Sequence, residues 1–200
     1  NRAYLIERLS LLLELGIDIS NKYYVLFLDL KRFKNVNNRL GHTVGDKVLM
    51  LVAKRLLRAV KMEDTVARLG GDEFAIILTD LKSADEAKKY ARKIHQKLLQ
   101  PFSLHGNKIF TDVYIGISPF DLDHQKPEDI LRDADIAMHY AKEKETAFEL
   151  FDKDLRSKVL ETIKLESHLR FALEKDELSM HYQPLISLFD GGIIGFEALL

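Results

Sequence analysis

Arg68-Leu69-Gly70-Gly71-Asp72-Glu73-Phe74 separates two apolar segments and sets the reading of the fold. Residues 66–69 before it are short and largely apolar, and Phe74-Ala75-Ile76-Ile77-Leu78 after it is an unbroken apolar run. Gly70-Gly71 therefore stands where a β-hairpin needs positive φ. A plain hairpin is satisfied by Asn-Gly or Asp-Gly. Two acids directly after the glycines repel one another and need open solvent or a cation, so the segment reads as an active-site turn with Asp72 and Glu73 at a strand edge.

The flanking sequence predicts alternating elements. Tyr4 to Leu15 carries a dense leucine pattern that reads as a helix stopped by Gly16. Tyr23 to Leu28 is aromatic and β-branched enough for a buried strand, with Asp29 at its carboxyl end, where sites of α/β folds gather. Thr43-Val44-Gly45-Asp46 opens a helix with Val44, Val48, Leu51, Val52, Leu56 and Val60 on one stripe. Ser83-Ala84-Asp85-Glu86 resembles a capping box before a helix that Pro101 ends, with Ala87, Tyr90, Ala91, Ile94 and Leu98 inward. A strand is expected over Lys108 to Ile117, and an edge strand over Ala147 to Phe151. Between them Pro127 starts a helix to Lys142, with Ile130, Leu131, Ala134, Ala137, Met138 and Ala141 inward. The order predicts the α/β class, with helices packed around a central mixed sheet.

From Asp152 the character changes to a charged amphipathic helix with Leu155, Val159, Ile163, Leu169 and Leu173 on its apolar side. Leu178 to Pro184 then reads as a strand, and Gly191-Gly192 as a hairpin turn into Ile193 to Leu200. A helix and one hairpin cannot close a core of their own. The expected division is a domain over residues 1–152, then a linker helix and the first elements of a second domain over 153–200.

Composition narrows the function classes. Two hundred residues, 46% of them hydrophobic, suffice for one well-cored domain and part of another. A net charge of -1 gives no global attraction to nucleic acid or to an acidic membrane, so no nucleic-acid partner is expected. The chain has no cysteine, which excludes thiol nucleophiles, disulfides and cysteine-ligated zinc and suits a reducing compartment. No apolar run approaches the roughly 20 residues that span a bilayer, and no signal-peptide pattern opens the sequence. The expectation is a cytoplasmic segment without membrane contact, in a parent protein that could be membrane-attached through other segments. The histidines show no paired metal-ligand spacing.

Taken singly, the candidate residues have ordinary readings. Asp46 could be the acidic partner of Thr43 in a capping box, Asn37 a turn or cap residue, and Lys142 a solvated charge at a helix end. Asp29 could be a plain strand-end acid and His42 a loop brace. Together and in order they say more. Asp29-Leu30-Lys31-Arg32-Phe33-Lys34-Asn35-Val36-Asn37, Gly41-His42, Gly45-Asp46, Gly70-Gly71-Asp72-Glu73-Phe74 and Ala141-Lys142 resemble the GGDEF family of diguanylate cyclases, over about residues 1 to 152. Asn1-Arg2 resembles the tail of the family's opening motif, which implies a sequence that begins inside the domain.

The resemblance implies a nucleotide-cyclase, palm-like central sheet flanked by helices. It also implies a reaction in which two GTP molecules, one on each subunit of a homodimer, condense to cyclic di-GMP and release pyrophosphate. Mg2+ or Mn2+ would be held by the carboxylates of Asp29 and Asp72 and the backbone carbonyl of Leu30, with Glu73 contributing to the metal and to activation of the 3′-hydroxyl. Asn37 and Asp46 would read guanine. Backbone groups of Phe33 and Lys34 would lie near the phosphates, and Lys142 would bring them a mobile positive charge.

Three positions depart from the family pattern. Lys31 replaces the second acid of an Asp-x-Asp, which implies altered metal affinity, and Glu145-Thr146 replaces Gly-Arg, which implies a weaker hold on triphosphate. Lys61-Met62-Glu63-Asp64 stands for the Arg-x-x-Asp of the inhibitory site. Lysine keeps the charge and loses the planar fork, so weak or absent feedback inhibition is expected.

The last part has a resemblance of its own. Leu169-Arg170-Phe171-Ala172-Leu173, Tyr182-Gln183-Pro184 and Gly195-Phe196-Glu197-Ala198-Leu199 resemble the opening of an EAL domain, the barrel of cyclic di-GMP phosphodiesterases, over about residues 155 to 200. Glu197 matches its metal-binding glutamate and Gln183 lies in its substrate-side strand. The other ligands and the general base would lie beyond Leu200, so no hydrolysis is expected of this piece. The expectations are then a cyclase in a GGDEF-EAL protein, or a GTP-binding domain that tunes the adjoining phosphodiesterase. A purely structural dimerisation domain is disfavoured by the guanine-reading pair.

Overall fold

A computed structural model describes residues 1–15, 23–104, 106–121, 124–172, 174–175 and 177–200, leaving aside the side chains of Leu15, Leu160, Ile163, Glu166 and Ser167. The expected helix stop at Gly16 and the inward positions Ile163 and Leu173 lie outside what is described. The chain divides into two compact units, Asn1–Arg156 and Ser157–Leu200.

In the first unit the elements run α1 (Arg2–Leu15), β1 (Tyr24–Lys31), α2 (Phe33–Leu40), α3 (His42–Leu57), β2 (Thr65–Gly70), β3 (Glu73–Leu78) and α4 (Ala84–Leu98). Then follow β4 (Phe102–Leu104), β5 (Asn107–Ile109), β6 (Asp112–Pro119), α5 (Pro127–Glu143), β7 (Phe148–Leu150) and the start of α6 (Lys153–Ala172). Five strands form one sheet in the order β2-β3-β1-β6-β7. All neighbours are antiparallel except β6 and β7, so the sheet is mixed, as the alternation of elements predicts.

Side-chain alternation along the strands separates two cores. Leu26, Leu28 and Leu30 of β1, with Phe74, Ile76 and Leu78 of β3, face Val48, Val52 and Leu56 of α3 and Ala91, Ile94 and Leu98 of α4. Val25 and Phe27, with Ala75 and Ile77, face Leu5 and Leu9 of α1 and Ile130, Ala134 and Met138 of α5. Each fully buried side chain of this size contributes about 1.5–3 kcal/mol. The second face ends in charge. Following its parity leads to Asp29 and Lys31 on β1 and to Glu73 on β3, so a rigid apolar sheet delivers acids to one edge.

Several expectations are corrected. β1 runs to Lys31, so Asp29 lies inside the strand and not after it. The polar stretch after Asp29 contains α2, which its composition hid; only Phe33 of that helix is buried. α3 starts at His42 after Gly41 and has no side-chain cap, so Thr43 and Asp46 form no capping box. Ser83 is the N-cap of α4 but its hydroxyl caps nothing, while the Glu86 carboxylate accepts the Lys82 N–H at 2.8 Å. The expected strand over Lys108 to Ile117 is two: β5 pairs with β4 in a separate hairpin, and β6 begins at Asp112. Between them the Thr111 hydroxyl donates to the Leu98 carbonyl at 3.3 Å, which tethers the break to the end of α4.

In the second unit, β8 (His181–Ile186) and β9 (Ile193–Leu199) form an antiparallel hairpin with Gln183 opposite Glu197. β8 starts at His181 and not at the expected Leu178. The turn is closed by Gly191 N–H to the Ser187 carbonyl at 2.9 Å and Ser187 N–H to the Gly192 carbonyl at 2.8 Å. Among the described residues no helix is long and apolar enough to cross a membrane.

Candidate active site

Asp29 on the central strand is the direct register partner of Glu73 on one side and of Tyr114 on the other. Directly opposed side chains on one face of a sheet stand about 5 Å apart at Cβ, and like charges placed so are destabilising. Asp72 joins them from the turn. Of the two glycines only Gly71 has positive φ, at 48°, so the left-handed residue is the second alone. Arg68 Nε and Nη2 donate to the Gly71 carbonyl at 3.0 and 2.7 Å, and the Leu30 N–H reaches the Asp72 carbonyl at 3.4 Å. The turn is thereby fixed to β1.

The electrostatics follow from this crowding. Burial raises the Asp72 carboxyl, and the charge of Asp29 adds to it. Burial also raises Glu73, with Asp135, Asp29 and Asp72 pushing the same way and Arg2 opposing. Asp135, itself raised by burial, is an acidic neighbour of Glu73 and Asp29 that sequence reasoning missed. Its signal was available: Asp135, His139 and Lys142 recur at helical spacing on α5, beside the inward stripe. His139 Nε2 lies 3.5 Å from Asp135, and Lys142 Nζ lies 3.2 Å from Asp29 Oδ2.

Asp29, Leu30, Phe33, Lys34, Asp72, Glu73 and Lys142 together line a cleft of about 1320 Å3. Arg32, at φ 57°, turns the chain from β1 into α2 and offers no side-chain cap, so the first N–H groups of α2 are presented at the cleft without one. Asn37 and Asp46 are not on its lining. They sit at the α2–α3 corner, where a Cβ at Gly45 would overlap the Asn37 carboxamide, so a larger residue there would displace the Asn37 side chain. Asp46 follows on the exposed side. Glu197 belongs to the second unit.

Among the described residues no group of three or more histidines or carboxylates is spaced to hold a metal alone. Magnesium asks for less, one or two carboxylates completed by water and substrate phosphate. Paired acids with raised carboxyls, all hard oxygen donors, fit such a cation chemically.

The departing residues have definite partners. Lys31 Nζ lies 2.7 Å from Asp112 Oδ2 and 4.0 Å from the Tyr114 ring centroid. Burial would raise Asp112, but hydrogen bonds from Lys31 and the Val113 N–H, with the charges of Lys31 and His95, hold it below the usual range. α5 ends in a Schellman motif: Thr146 N–H donates to the Ala141 carbonyl at 2.9 Å and Glu145 N–H to that of Lys142 at 3.3 Å. Glu145 takes the left-handed position there, φ 54°, which glycine adopts without cost. The Thr146 hydroxyl bonds Glu149 Oε1 at 2.9 Å. Asp64 accepts from Lys61 N–H at 2.8 Å, Thr79 N–H at 2.9 Å and Thr79 Oγ1 at 3.1 Å, so both its oxygens brace a turn.

Comparison with known proteins agrees with this geometry. The chain is 36% identical over 201 residues to the bifunctional diguanylate cyclase/cyclic di-GMP phosphodiesterase MucR of Pseudomonas aeruginosa, covering 100% of this chain and 29% of MucR. It is 41% identical over 143 residues to the diguanylate cyclase TpbB of the same species, covering 71% of this chain and 33% of TpbB. The chain thus spans a third or less of the length of these curated relatives. The crystal structure of the TpbB (YfiN) GGDEF domain superposes with a TM-score of 0.71 at 38% identity, over 76% of this chain and 96% of that domain. The family model described as diguanylate cyclase, GGDEF domain, matches residues 1–147. With the sheet order, the turn and this match in agreement, the chain belongs to the GGDEF family of diguanylate cyclase domains.

Proposed function

We propose that residues 1–152 form a diguanylate cyclase domain that condenses two GTP to cyclic di-GMP and releases pyrophosphate. The observation that carries this reading is the direct opposition of Asp29 and Glu73 on adjacent strands, with Asp72 in the turn beside them. A fold gains nothing from packing three acids there; a nucleotide triphosphate with its cation gives them a purpose. Asp29 and Asp72, with the Leu30 carbonyl and Glu73, would hold Mg2+ or Mn2+, which when bound neutralises charge on the phosphoryl oxygens. In the reaction the 3′-oxygen of each GTP attacks the α-phosphorus of the other and the bond to pyrophosphate breaks. Glu73 accepts the hydroxyl proton, and its raised carboxyl brings it nearer the working range of a general base.

The remaining residues bind and orient. The N-terminus of α2, at Phe33 and Lys34, suits phosphate through its free N–H groups. Lys142, half-exposed on Asp29, can exchange that carboxylate for a phosphate oxygen. Asn37 and Asp46 at the α2–α3 corner would read guanine: a carboxylate accepts from the N–H groups of its pairing edge and a carboxamide donates to its acceptors. One site holds one GTP and the product needs two, so the active form is a homodimer with two-fold symmetry. A GTP substrate places the domain in the cytoplasm. Asp64 is engaged on both oxygens, which supports weak product inhibition.

Residues 153–200 read as a linker helix and the opening of an EAL domain, with Glu197 as a metal ligand opposite Gln183. MucR, by its name, joins both activities.

A second reading has its own observation. Glu145 puts a carboxylate on the cleft lining, and Thr146 is turned to Glu149 and not to the cleft, which favours a domain that binds GTP and regulates the phosphodiesterase without turnover. GTP and ATP titrations of wild type and of Asn37→Ala and Asp46→Ala, beside an assay for cyclic di-GMP, separate the readings. GTP-selective binding with product supports the cyclase; GTP-selective binding without product supports regulation; no selective binding refutes both.

A further inference from the structure

One ion-pair network on the cleft lining has no part in the scheme above. Lys31 and Asp112 are register partners across β1 and β6, and their side chains meet at 2.7 Å. The second oxygen of Asp112 bonds His95 Nε2 of α4 at 2.9 Å and accepts the Val113 N–H at 2.7 Å. The Lys31 ammonium also lies over the Tyr114 ring, and its side chain is 20% exposed. Asp112 is thus anchored from α4 and from its own backbone, and Lys31 is drawn toward β6.

Lys31 follows Asp29 by two residues, so both side chains leave the same face of β1, about 6.6 Å apart along the strand. A lysine stem spans that separation. Without Asp112, Lys31 has Asp29 within reach on the same face of the strand, and Asp29 already holds Lys142 at 3.2 Å. A second ammonium on Asp29 would displace any divalent cation from it. We propose that Asp112 is a positioning residue for the nucleotide reaction: braced by His95, it sequesters Lys31 and keeps Asp29 open to cation and phosphate. The inference rests on the cyclase reading of the cleft. Lysine in place of an acid at position 31 is then compatible with a working site, because its charge is taken up across the strand pair.

The test uses the full chain with Mn2+ and 3′-deoxy-GTP, which lacks the attacking hydroxyl, and reads free Mn2+ by electron paramagnetic resonance. Asp112→Asn keeps an acceptor for the Val113 N–H and is expected to weaken Mn2+ binding about five- to tenfold, the range of a partly buried ion pair transferred to Asp29. The double variant Lys31→Met/Asp112→Asn is expected within about twofold of wild type, since the competing ammonium is gone. Glu145→Gln removes one negative charge from the same cleft and sets the size of a plain charge effect, expected under about twofold. Thermal midpoints taken alongside verify folding. An Asp112→Asn effect no larger than that of Glu145→Gln overturns the inference, as does a double variant as weak as Asp112→Asn, which would assign Asp112 a structural role. Absence of Mn2+ binding by wild type overturns the nucleotide reading itself, and that result is distinguishable because it appears before any variant is made.

Discussion

Glu145→Gly should stabilise the protein, although it removes a side chain. Glu145 sits at φ 54° in the terminal motif of α5, where a Cβ is crowded against the following carbonyl. The left-handed conformation costs a non-glycine residue about 1–2 kcal/mol. Glycine recovers that cost but loses about 0.5–1 kcal/mol of additional chain entropy on folding. The net expectation is a gain of about 0.5–1 kcal/mol, or roughly 1–4 °C in the thermal midpoint for a domain of this size. Both backbone bonds of the motif, Glu145 to Lys142 and Thr146 to Ala141, are independent of the side chain and persist. Thermal unfolding followed by circular dichroism measures the shift. Glu145→Gln isolates the loss of charge and Glu145→Ala the loss of the side chain beyond Cβ; neither should give the gain, whereas Glu145→Asn, which tolerates this conformation better, should give part of it. A midpoint for Glu145→Gly at or below wild type, or an equal gain from Glu145→Ala, would refute the assignment of backbone strain.

Three further outcomes are expected. The raised carboxyls of Asp72 and Glu73 favour the folded state when protonated, so their contribution is present below the ordinary carboxylate range and lost as pH rises through the folded values. Asp72→Asn and Glu73→Gln should therefore stabilise at neutral pH by about 0.5 kcal/mol and by nothing near pH 3, which denaturant midpoints against pH would check. Asp64→Asn loses acceptor capacity shared among three hydrogen bonds and should cost about 1–2 kcal/mol, while calorimetry on wild type should find no tight cyclic di-GMP binding. Tight binding abolished by Asp64→Ala would contradict that. Arg156→Met leaves buried Asp133, 3% exposed, with His124 as its remaining side-chain partner at 3.0 Å and should cost about 1–3 kcal/mol by urea denaturation. Burial opposes the charge of Asp133, but His124 and Arg156 hold its carboxyl down, so that penalty should shrink as pH falls through the depressed folded value.

Much of the first unit was legible in sequence because its core is periodic. The stripe from Val48 to Leu56 and the run from Phe74 to Leu78 each state their element, and the glycine-acid turn states where two strands meet. What escaped was set by tertiary contacts. α2 carries one buried side chain, Phe33, too few for a period, and it packs against α3 beside Gly45. The break between β5 and β6 is made by pairing with β4, which no local pattern announces. In the site, Asp29, Asp72, Glu73 and Lys142 were legible as a set and share one cleft. Asp135 was not, since an acid beside a helix's apolar stripe reads as solvated until the facing strand is known to carry acids as well. The partners of Lys31 and Thr146 were equally hidden: Asp112 lies across a strand pair and Glu149 past a helix end.

The central claim is that the Asp29–Glu73 opposition supports two-GTP condensation, and chromatography of the nucleotide products tests it most directly. The protein, incubated with GTP and Mg2+, should yield one cyclic di-GMP and two pyrophosphates for every two GTP consumed. Glu73→Gln, which keeps the fold and removes the proton acceptor, should lower the rate by about 10²-fold or more. Wild-type protein that binds GTP selectively and forms no cyclic di-GMP, or a Glu73→Gln variant as fast as wild type, would contradict the account.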